Sequence, residues 1–262
     1  MNPLRSFAAI GMACTAFVSL GLAAEPAAPA TKAATPSTPA AKGPPPVAGI
    51  NQLTAAEKAE GWQLLFDGST FAGWRGYGTE GLPSSGWAIE DGLIRTTTGS
   101  RFGTVDLITE RTFDNFEFSW EWRMSEGGNN GIKYFVTESR RSAPGPEYQM
   151  IDDERHADAK RGPLYRTGAF YDVLVPAEDK PLKQPGEWNV SRLVVRGNHV
   201  EHWLNGKNIL SYEAGSAQVK EGVARSKFKN EPGFGDKIVG HLMLTYHFDV
   251  CWFRNLKIRE LK

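Results

Sequence analysis

A strict alternation of side chains over residues 113–124 constrains the fold more than any other feature of the sequence. Aromatic residues recur at every second position, with polar residues between them: Phe116, Phe118, Trp120 and Trp122 alternate with Glu117, Ser119, Glu121 and Arg123. Successive side chains of a β-strand point to opposite faces, so this run predicts a long strand with one face in a core. Trp120 and Trp122 are accordingly predicted to be core residues.

Shorter runs with turn signals between them predict further strands along the chain. They cover residues 62–66, 87–89, 93–96, 106–109, 131–137, 147–151, 168–175, 192–196, 200–204, 207–210, 240–245 and 251–259. Asp91-Gly92 and Asn205-Gly206 are typical of tight hairpin turns. Helical spacing is almost absent, apart from a capping box at Thr54 that predicts a short helix ending at Gly61. The predicted fold is all-β, an antiparallel two-sheet β-sandwich of the jelly-roll type with a short N-terminal helix.

The N-terminal region is predicted to precede this domain, not to form part of it. Residues 1–24 carry Arg5, an apolar run and two final alanines, as a cleavable signal peptide does. Residues 25–49 contain seven of the sixteen prolines and almost nothing to bury, which predicts a disordered Ala/Pro-rich linker. Residues 50–262 then form the sandwich domain. A signal peptide indicates a periplasmic or secreted protein, and no later segment is apolar enough to span a membrane.

Charge and cysteine content argue against a nucleic-acid-binding protein and against a fold stabilised by disulfides. The formal net charge is +0, which gives no electrostatic basis for binding nucleic acid. Cys14 would leave with the signal peptide, so Cys251 would have no cysteine within the chain to pair with.

The segment 147–156 is the first candidate for a functional site. In a strand, Glu147 and Gln149 point to the same side, and a carboxylate and an amide together suit the hydroxyls of a sugar. The alternative is an edge strand with one face in water, followed by a solvated acidic loop. Asp152, Glu154 and His156, with Asp153 and Asp158, could also bind a divalent cation such as calcium, magnesium or manganese. No spacing among them matches a known metal motif, so a solvated loop is again the alternative.

Seven segments follow one another along the domain: residues 61–68 with Trp74, 130–134, 147–156, 168–172, 186–189, 200–206 and 253–259. In this order they resemble the 3-keto-disaccharide hydrolase domain family. The resemblance extends from about residue 58 to 262 and implies a concanavalin A-like sandwich of the lectin/glucanase type. It also implies exported enzymes acting on glycosides whose glucose ring is oxidised at C3. One departure is clear: the family's Gln-Asp-His-Gly is here Thr245-Tyr246-His247-Phe248.

The chemistry that the resemblance implies needs a base near C2, a donor for the C3 oxyanion and an acid at the leaving oxygen. His202, Glu147 and His247 are the candidates for proton transfer, each with a structural role as the alternative. The candidates for binding substrate are Lys133, Gln149, Asn130, Arg166 and Trp74. For Trp74, stacking on a sugar ring competes with wedging its loop onto the sandwich.

The predicted function is cleavage of the glycosidic bond of 3-keto-glucosides or 3-keto-disaccharides, a small-molecule carbohydrate substrate. Removing the C2 proton would expel the C1 substituent, and water would then add to the enone; stopping before that addition is a lyase reaction. Two alternatives remain open at this stage. One is a conventional two-carboxylate glycosidase. The other is a non-catalytic carbohydrate-binding module, since the same sandwich serves lectins.

Overall fold

The computed structural model describes residues 49–98, 105–140 and 142–262. The predicted signal peptide and all but the last residue of the predicted linker lie outside these residues. Among the helices described, none has the length and apolar character needed to cross a membrane.

Two antiparallel sheets make up the domain. The larger contains β1 (Gln63–Leu64), β3 (Trp87–Glu90), β4 (Leu93–Thr96), β6 (Phe116–Met124), β9 (Asn189–Arg196), β10 (His199–Leu204), β11 (Lys207–Glu213) and β13 (Cys251–Glu260). The smaller contains β2 (Trp74–Gly76), β5 (Leu107–Thr109), β7 (Asn129–Val136), β8 (Glu147–Ile151) and β12 (His241–Leu244). The larger sheet has the order β11-β10-β9-β6-β13-β4-β3, with β1 beside β13, and the smaller has the order β2-β5-β12-β7-β8. The predicted all-β sandwich is confirmed.

The core lies between the inner faces of the two sheets. Trp120 and Trp122 of β6 are 0% and 1% exposed, which confirms their predicted place in the core. Trp120 packs edge-on against Tyr148 of β8, with ring centroids 5.1 Å apart. The aromatic face of β6 therefore joins the two sheets, while its polar face points away from the core.

Within the described ranges, two α-helices flank the sheets. The first, α1 (Ala55–Ala59), begins with the predicted capping box: Thr54 Oγ1 accepts from the Glu57 backbone N–H, and Glu57 accepts from the Thr54 N–H. Gly61 follows it with φ +85°, as predicted for a closing glycine. The second, α2 (Ala217–Arg225), was not predicted from the sequence. Its Gly222 approaches Val173 so closely that a β-carbon would lie 2.6 Å from the Val173 carbonyl oxygen.

The predicted strand at residues 168–175 is wrong. Residues 167–174, here called the edge strap, run along the free side of β8 with an isolated bridge between Tyr148 and Phe170. Gly168 and Asp172 have φ of +82° and +62°, which no continuous strand accommodates. The strap closes the hydrogen bonding of β8 through Thr167, Gly168, Ala169 and Tyr171.

Candidate active site

One row of paired residues crosses the outer face of the smaller sheet. The pairing aligns Arg75, Ile108, Met243, Lys133 and Glu147 across its five strands. Tyr148 packs against Trp120 in the core, so Glu147 and Gln149, on the alternate positions of β8, belong to the opposite face. The middle of the row is apolar and fully buried at Ile108 and Met243, which separates Arg75 at the β2 end from Lys133 and Glu147 at the β7–β8 end.

Glu147 is the centre of that charged group. Its Oε2 lies 3.8 Å from Lys133 Nζ, and its Oε1 lies 3.8 Å from His247 Nε2. Both distances exceed a hydrogen bond, and catalytic contacts often tighten only with substrate bound. Glu147 is nearly buried, whereas 39% of the His247 side chain is exposed. Solvent and ligand therefore reach the group from the His247 side.

The electrostatic environment keeps Glu147 ionised. Burial alone would raise the pKa of its carboxyl, but Lys133 and His247 outweigh burial and hold the pKa below its usual range. Lys227, 4.4 Å from the centre of the Tyr171 ring, acts in the same direction. The carboxylate is thus a fixed negative charge at neutral pH, placed between the Lys133 ammonium and the His247 ring.

Asp106 also belongs to this group and was not predicted. It precedes β5, and its Oδ1 accepts a hydrogen bond of 2.8 Å from the Tyr246 backbone N–H. Tyr246 is followed directly by His247, which contacts Glu147, so consecutive residues of one loop contact both carboxyl groups. Lys133, His247 and Glu147 all act electrostatically on Asp106. Asp106 and Ile108 share a face by strand alternation, and the pairing of β5 with β12 and of β12 with β7 brings that face toward Lys133.

Two buried amides lie near this group, on opposite faces of the sheet. Gln149 shares the face of Glu147; it is 1% exposed, and within the described residues its buried Oε1 has no hydrogen-bond partner. Asn130 pairs with Met150, on the face that carries Tyr148, so its side chain belongs to the inner side of the sheet, where Oδ1 accepts from the Gly131 N–H at 2.8 Å. Buried polar atoms nearly always have partners, so Gln149 is suited to a ligand or to bound water. Glu147, Lys133, His247 and Gln149 are therefore brought together, whereas Asn130, predicted to bind substrate, is corrected to a residue of the opposite face.

His202 is not part of the site, which corrects its prediction as a catalytic residue. It lies in the core on the inner face of β10 and is 0% exposed. Nδ1 is 2.9 Å from the Gly168 carbonyl oxygen and Nε2 is 2.9 Å from the Tyr134 hydroxyl. A carbonyl only accepts, so Nδ1 carries the proton and Nε2 accepts from Tyr134. Burial lowers the pKa of His202 to about 4, so the ring is neutral and structural.

Two predicted substrate ligands also lie elsewhere. Trp74 is 3% exposed in the core, and its Nε1 donates to the Leu65 carbonyl at 2.5 Å, so its rings cannot stack on a sugar. Arg166 is exposed and lines a separate cavity of about 500 Å³ beside Ile151 and Asp152. That cavity is at the opposite end of β8 from Glu147.

The acids after β8 hold the loop in place and do not form a metal site. Asp152 accepts backbone N–H bonds from Gly127, Glu154 and Arg155, at 2.8, 3.1 and 3.1 Å. His156 Nδ1 accepts from the Asp158 N–H at 3.0 Å. Within the described ranges, no group of three His, Cys, Asp or Glu side chains is arranged to hold an ion. The predicted metal ligands Asp152, Glu154 and His156 are therefore corrected to loop residues.

Comparison with known proteins agrees with this architecture. A protein of Bacteroides thetaiotaomicron named 3-keto-disaccharide hydrolase is 35% identical over 245 residues, covering 82% of this chain and 83% of that protein. The crystal structure of a proposed glycosyl hydrolase from Parabacteroides distasonis superposes with a TM-score of 0.72 at 36% identity, covering 81% of this chain and 100% of the other. A second such structure from the same species has a TM-score of 0.56 at 25% identity, covering 76% and 99%.

A family model also matches most of the domain. It is described as a 3-keto-alpha-glucoside-1,2-lyase-like domain, and it matches residues 61–259. The match includes both sheets apart from the last residue of β13, and all residues of the Glu147 group. The chain belongs to the family of 3-keto-alpha-glucoside-1,2-lyase-like domains.

Proposed function

We propose that this protein is an exported enzyme that cleaves the glycosidic bond of 3-keto-glucosides or 3-keto-disaccharides. The observation that carries the proposal is the ionised Glu147 carboxylate between Lys133 and His247, on an outer sheet face that is open at His247. A glycoside hydrolase-like enzyme is also what the family membership and the related Bacteroides protein support.

The first step is removal of the C2 proton, which the neighbouring C3 ketone acidifies. His247 is suited to this step because its Nε2 faces Glu147. With the Nε2 proton directed to that carboxylate, Nδ1 is left with a free lone pair and acts as the base. Glu147 orients the ring and stabilises the imidazolium that forms, as a carboxylate does behind a catalytic histidine.

Lys133 is suited to stabilise the enolate. Loss of the C2 proton moves negative charge onto the C3 oxygen, and a cation placed there lowers the barrier. Only 16% of the Lys133 side chain is exposed, so its charge is weakly screened. The enolate then expels the C1 oxygen, and water adds to the resulting enone to complete hydrolysis.

Gln149 provides a further means of recognition. Its unpaired Oε1 is an acceptor, so it pairs with a sugar hydroxyl and not with the ketone, which also only accepts. Lys133, a donor, takes the ketone. The two side chains together distinguish an oxidised carbon from its hydroxylated neighbours.

The test is to incubate the purified domain with trehalose and with 3-keto-trehalose and to follow the products by NMR. We expect cleavage of the oxidised sugar alone, and a loss of roughly 100-fold or more in kcat for Glu147→Gln. The matched control is Glu154→Gln, an exposed carboxylate beyond the other end of β8. Cleavage of unoxidised trehalose would indicate a two-carboxylate glycosidase, and binding without turnover would indicate a carbohydrate-binding module.

Export is tested separately. Cells expressing the full chain should release the protein from the cytoplasm with a new N-terminus near residue 24, whereas a chain lacking residues 2–24 should stay inside. Retention of the full chain in the cytoplasm contradicts this part of the proposal.

A further inference from the structure

The proposed reaction moves two protons, and the Glu147–His247 pair accounts for only one of them. Once His247 holds the C2 proton, the departing C1 oxygen still needs a proton of its own. An alkoxide of a sugar is a poor leaving group, so an acid at this oxygen gives a large rate advantage. Within the described residues, one further carboxyl group lies near Glu147, Lys133 and His247, that of Asp106.

Asp106 is held toward the substrate side of the sheet by its neighbours. Its carbonyl oxygen accepts from the Tyr77 N–H at 2.8 Å, which continues the pairing of β2 and β5. Its Oδ1 accepts from the Tyr246 N–H, and among the described residues Oδ2 has no hydrogen-bond donor. No Lys or Arg of the described ranges comes within ion-pair distance of the Asp106 carboxyl, unlike Glu147, which Lys133 contacts at 3.8 Å.

We propose that Asp106 is the acid that protonates the leaving glycosidic oxygen. The proposal rests on the proposed function, and adds a catalytic residue to it. Glu147 and Asp106 then have different tasks because consecutive residues, His247 and Tyr246, engage them differently. Glu147 faces the His247 side chain, which exchanges protons. Asp106 accepts a hydrogen bond from the Tyr246 backbone N–H, which never gives up its proton.

The environments of the two carboxyl groups agree with this division. Burial raises the pKa of Asp106 above its usual range, because Lys133, the Tyr246 N–H and His247 only partly offset the loss of solvent and Glu147 opposes them. The pKa of Glu147 is instead lowered. Two carboxyl groups whose pKa values are moved apart are suited to act as an acid and as an ionised partner.

The proton balance closes over one turnover. His247 takes the proton from C2, the C1–O bond breaks, and Asp106 gives its proton to the departing oxygen, which leaves as an alcohol. Water then adds across the C1–C2 double bond. The water oxygen bonds to C1 while Asp106 takes one proton from the water, and His247 returns its proton to C2. Both side chains end in their starting states, and no oxidant or reductant is required.

The test compares two leaving groups with Asp106→Asn, which is isosteric and still accepts from the Tyr246 N–H. A sugar leaving group needs the acid, but 4-nitrophenolate leaves readily without it. For Asp106→Asn we expect kcat on 3-keto-trehalose to fall by roughly 100-fold or more, and kcat on 4-nitrophenyl 3-keto-glucoside to fall by less than about fivefold. The matched control is Glu110→Gln, an exposed carboxylate at the other end of β5, which should leave both rates unchanged.

An equal loss on both substrates, or a loss on neither, overturns the assignment of Asp106. Failure of the wild-type protein to cleave either substrate would instead overturn the proposed function. A second measurement needs no variant: across a series of aryl 3-keto-glucosides, the wild-type rate should depend weakly on the leaving-group pKa. A steep dependence in the wild type shows that no acid assists departure.

Discussion

The carboxylate of Glu147 lies directly over the backbone of Gly131 on the neighbouring strand. A β-carbon on Gly131 would be 2.1 Å from Glu147 Oε1 and 2.8 Å from its Cδ. The absence of a side chain at Gly131 therefore sets the position of the carboxylate between Lys133 and His247.

Gly131→Ala should impair activity much more than stability. The added methyl group meets the end of a flexible side chain, so the carboxylate can move away while the sheet stays intact. Misplacing a catalytic group by about 1 Å costs roughly 100-fold in rate, and we expect a loss of that size in kcat/KM on 3-keto-trehalose. Gly81→Ala is the control, since nothing lies within 4 Å of its added β-carbon. Equal activity of the two variants would show that the position of Glu147 is unimportant.

Lys133→Met should lower kcat and change its pH dependence. Loss of the cation removes stabilisation of the enolate, which we expect to cost roughly 100- to 1,000-fold in kcat. Without the Lys133 charge, the effect of burial dominates the pKa of Glu147, and this pKa rises. Activity that needs ionised Glu147 is lost as pH falls through this pKa, so the acid limb of the kcat/KM profile should move to higher pH. The control is Lys220→Met on the exposed side of α2. An acid limb that stays in place would contradict the coupling of Lys133 to Glu147.

His202 should make the protein less stable in acid. Its pKa is about 4 in the folded protein, against an ordinary value of 6.5, so the unfolded chain binds the proton more tightly. The free energy of unfolding is unaffected by this shift above pH 6.5. It falls as pH drops below 6.5, and the loss reaches about 3 kcal/mol at pH 4. Urea unfolding at pH 7 and pH 4.5 measures it. His202→Gln should have a smaller difference between the two pH values than the wild type; an unchanged difference would exclude His202 as the cause.

Trp74→Phe should reduce stability without changing substrate affinity. The variant loses the hydrogen bond from Nε1 to the Leu65 carbonyl and part of a buried ring, which together cost about 1–3 kcal/mol. Urea unfolding gives the loss, and steady-state kinetics gives KM. A raised KM with unchanged stability would show instead that Trp74 binds substrate.

The local features of the fold could be predicted from the sequence because they depend on neighbouring residues. The alternation through Phe118 and Trp120 and the capping box at Thr54 are of this kind. Positive φ at Asp172 cannot be read from an apolar run, so the edge strap was taken for a strand. Helix α2 was missed because only Val219 and Gly222 of its residues are buried, which leaves a weak apolar stripe.

The site could be predicted only in part, because its composition depends on which strands pair. Glu147 and Gln149 share a face by alternation alone. How the two sheets face each other decides whether that face is the outer one. It also decides whether a histidine on β10 reaches the face, and His202 lies on the inner side instead. Asp106 reaches Lys133 through β12, which follows β5 in the chain by more than a hundred residues.

The edge strap has a consequence for the behaviour of the molecule in solution. Glu147 and Gln149 are on the last strand of a sheet, whose outward main-chain groups are a template for a strand from another molecule. Thr167, Gly168, Ala169 and Tyr171 already occupy those groups at Glu147, Gln149 and Ile151. The strand that carries the reactive carboxylate is thereby protected from intermolecular pairing, so a crowded compartment does not convert it into a nucleus for fibrous aggregates.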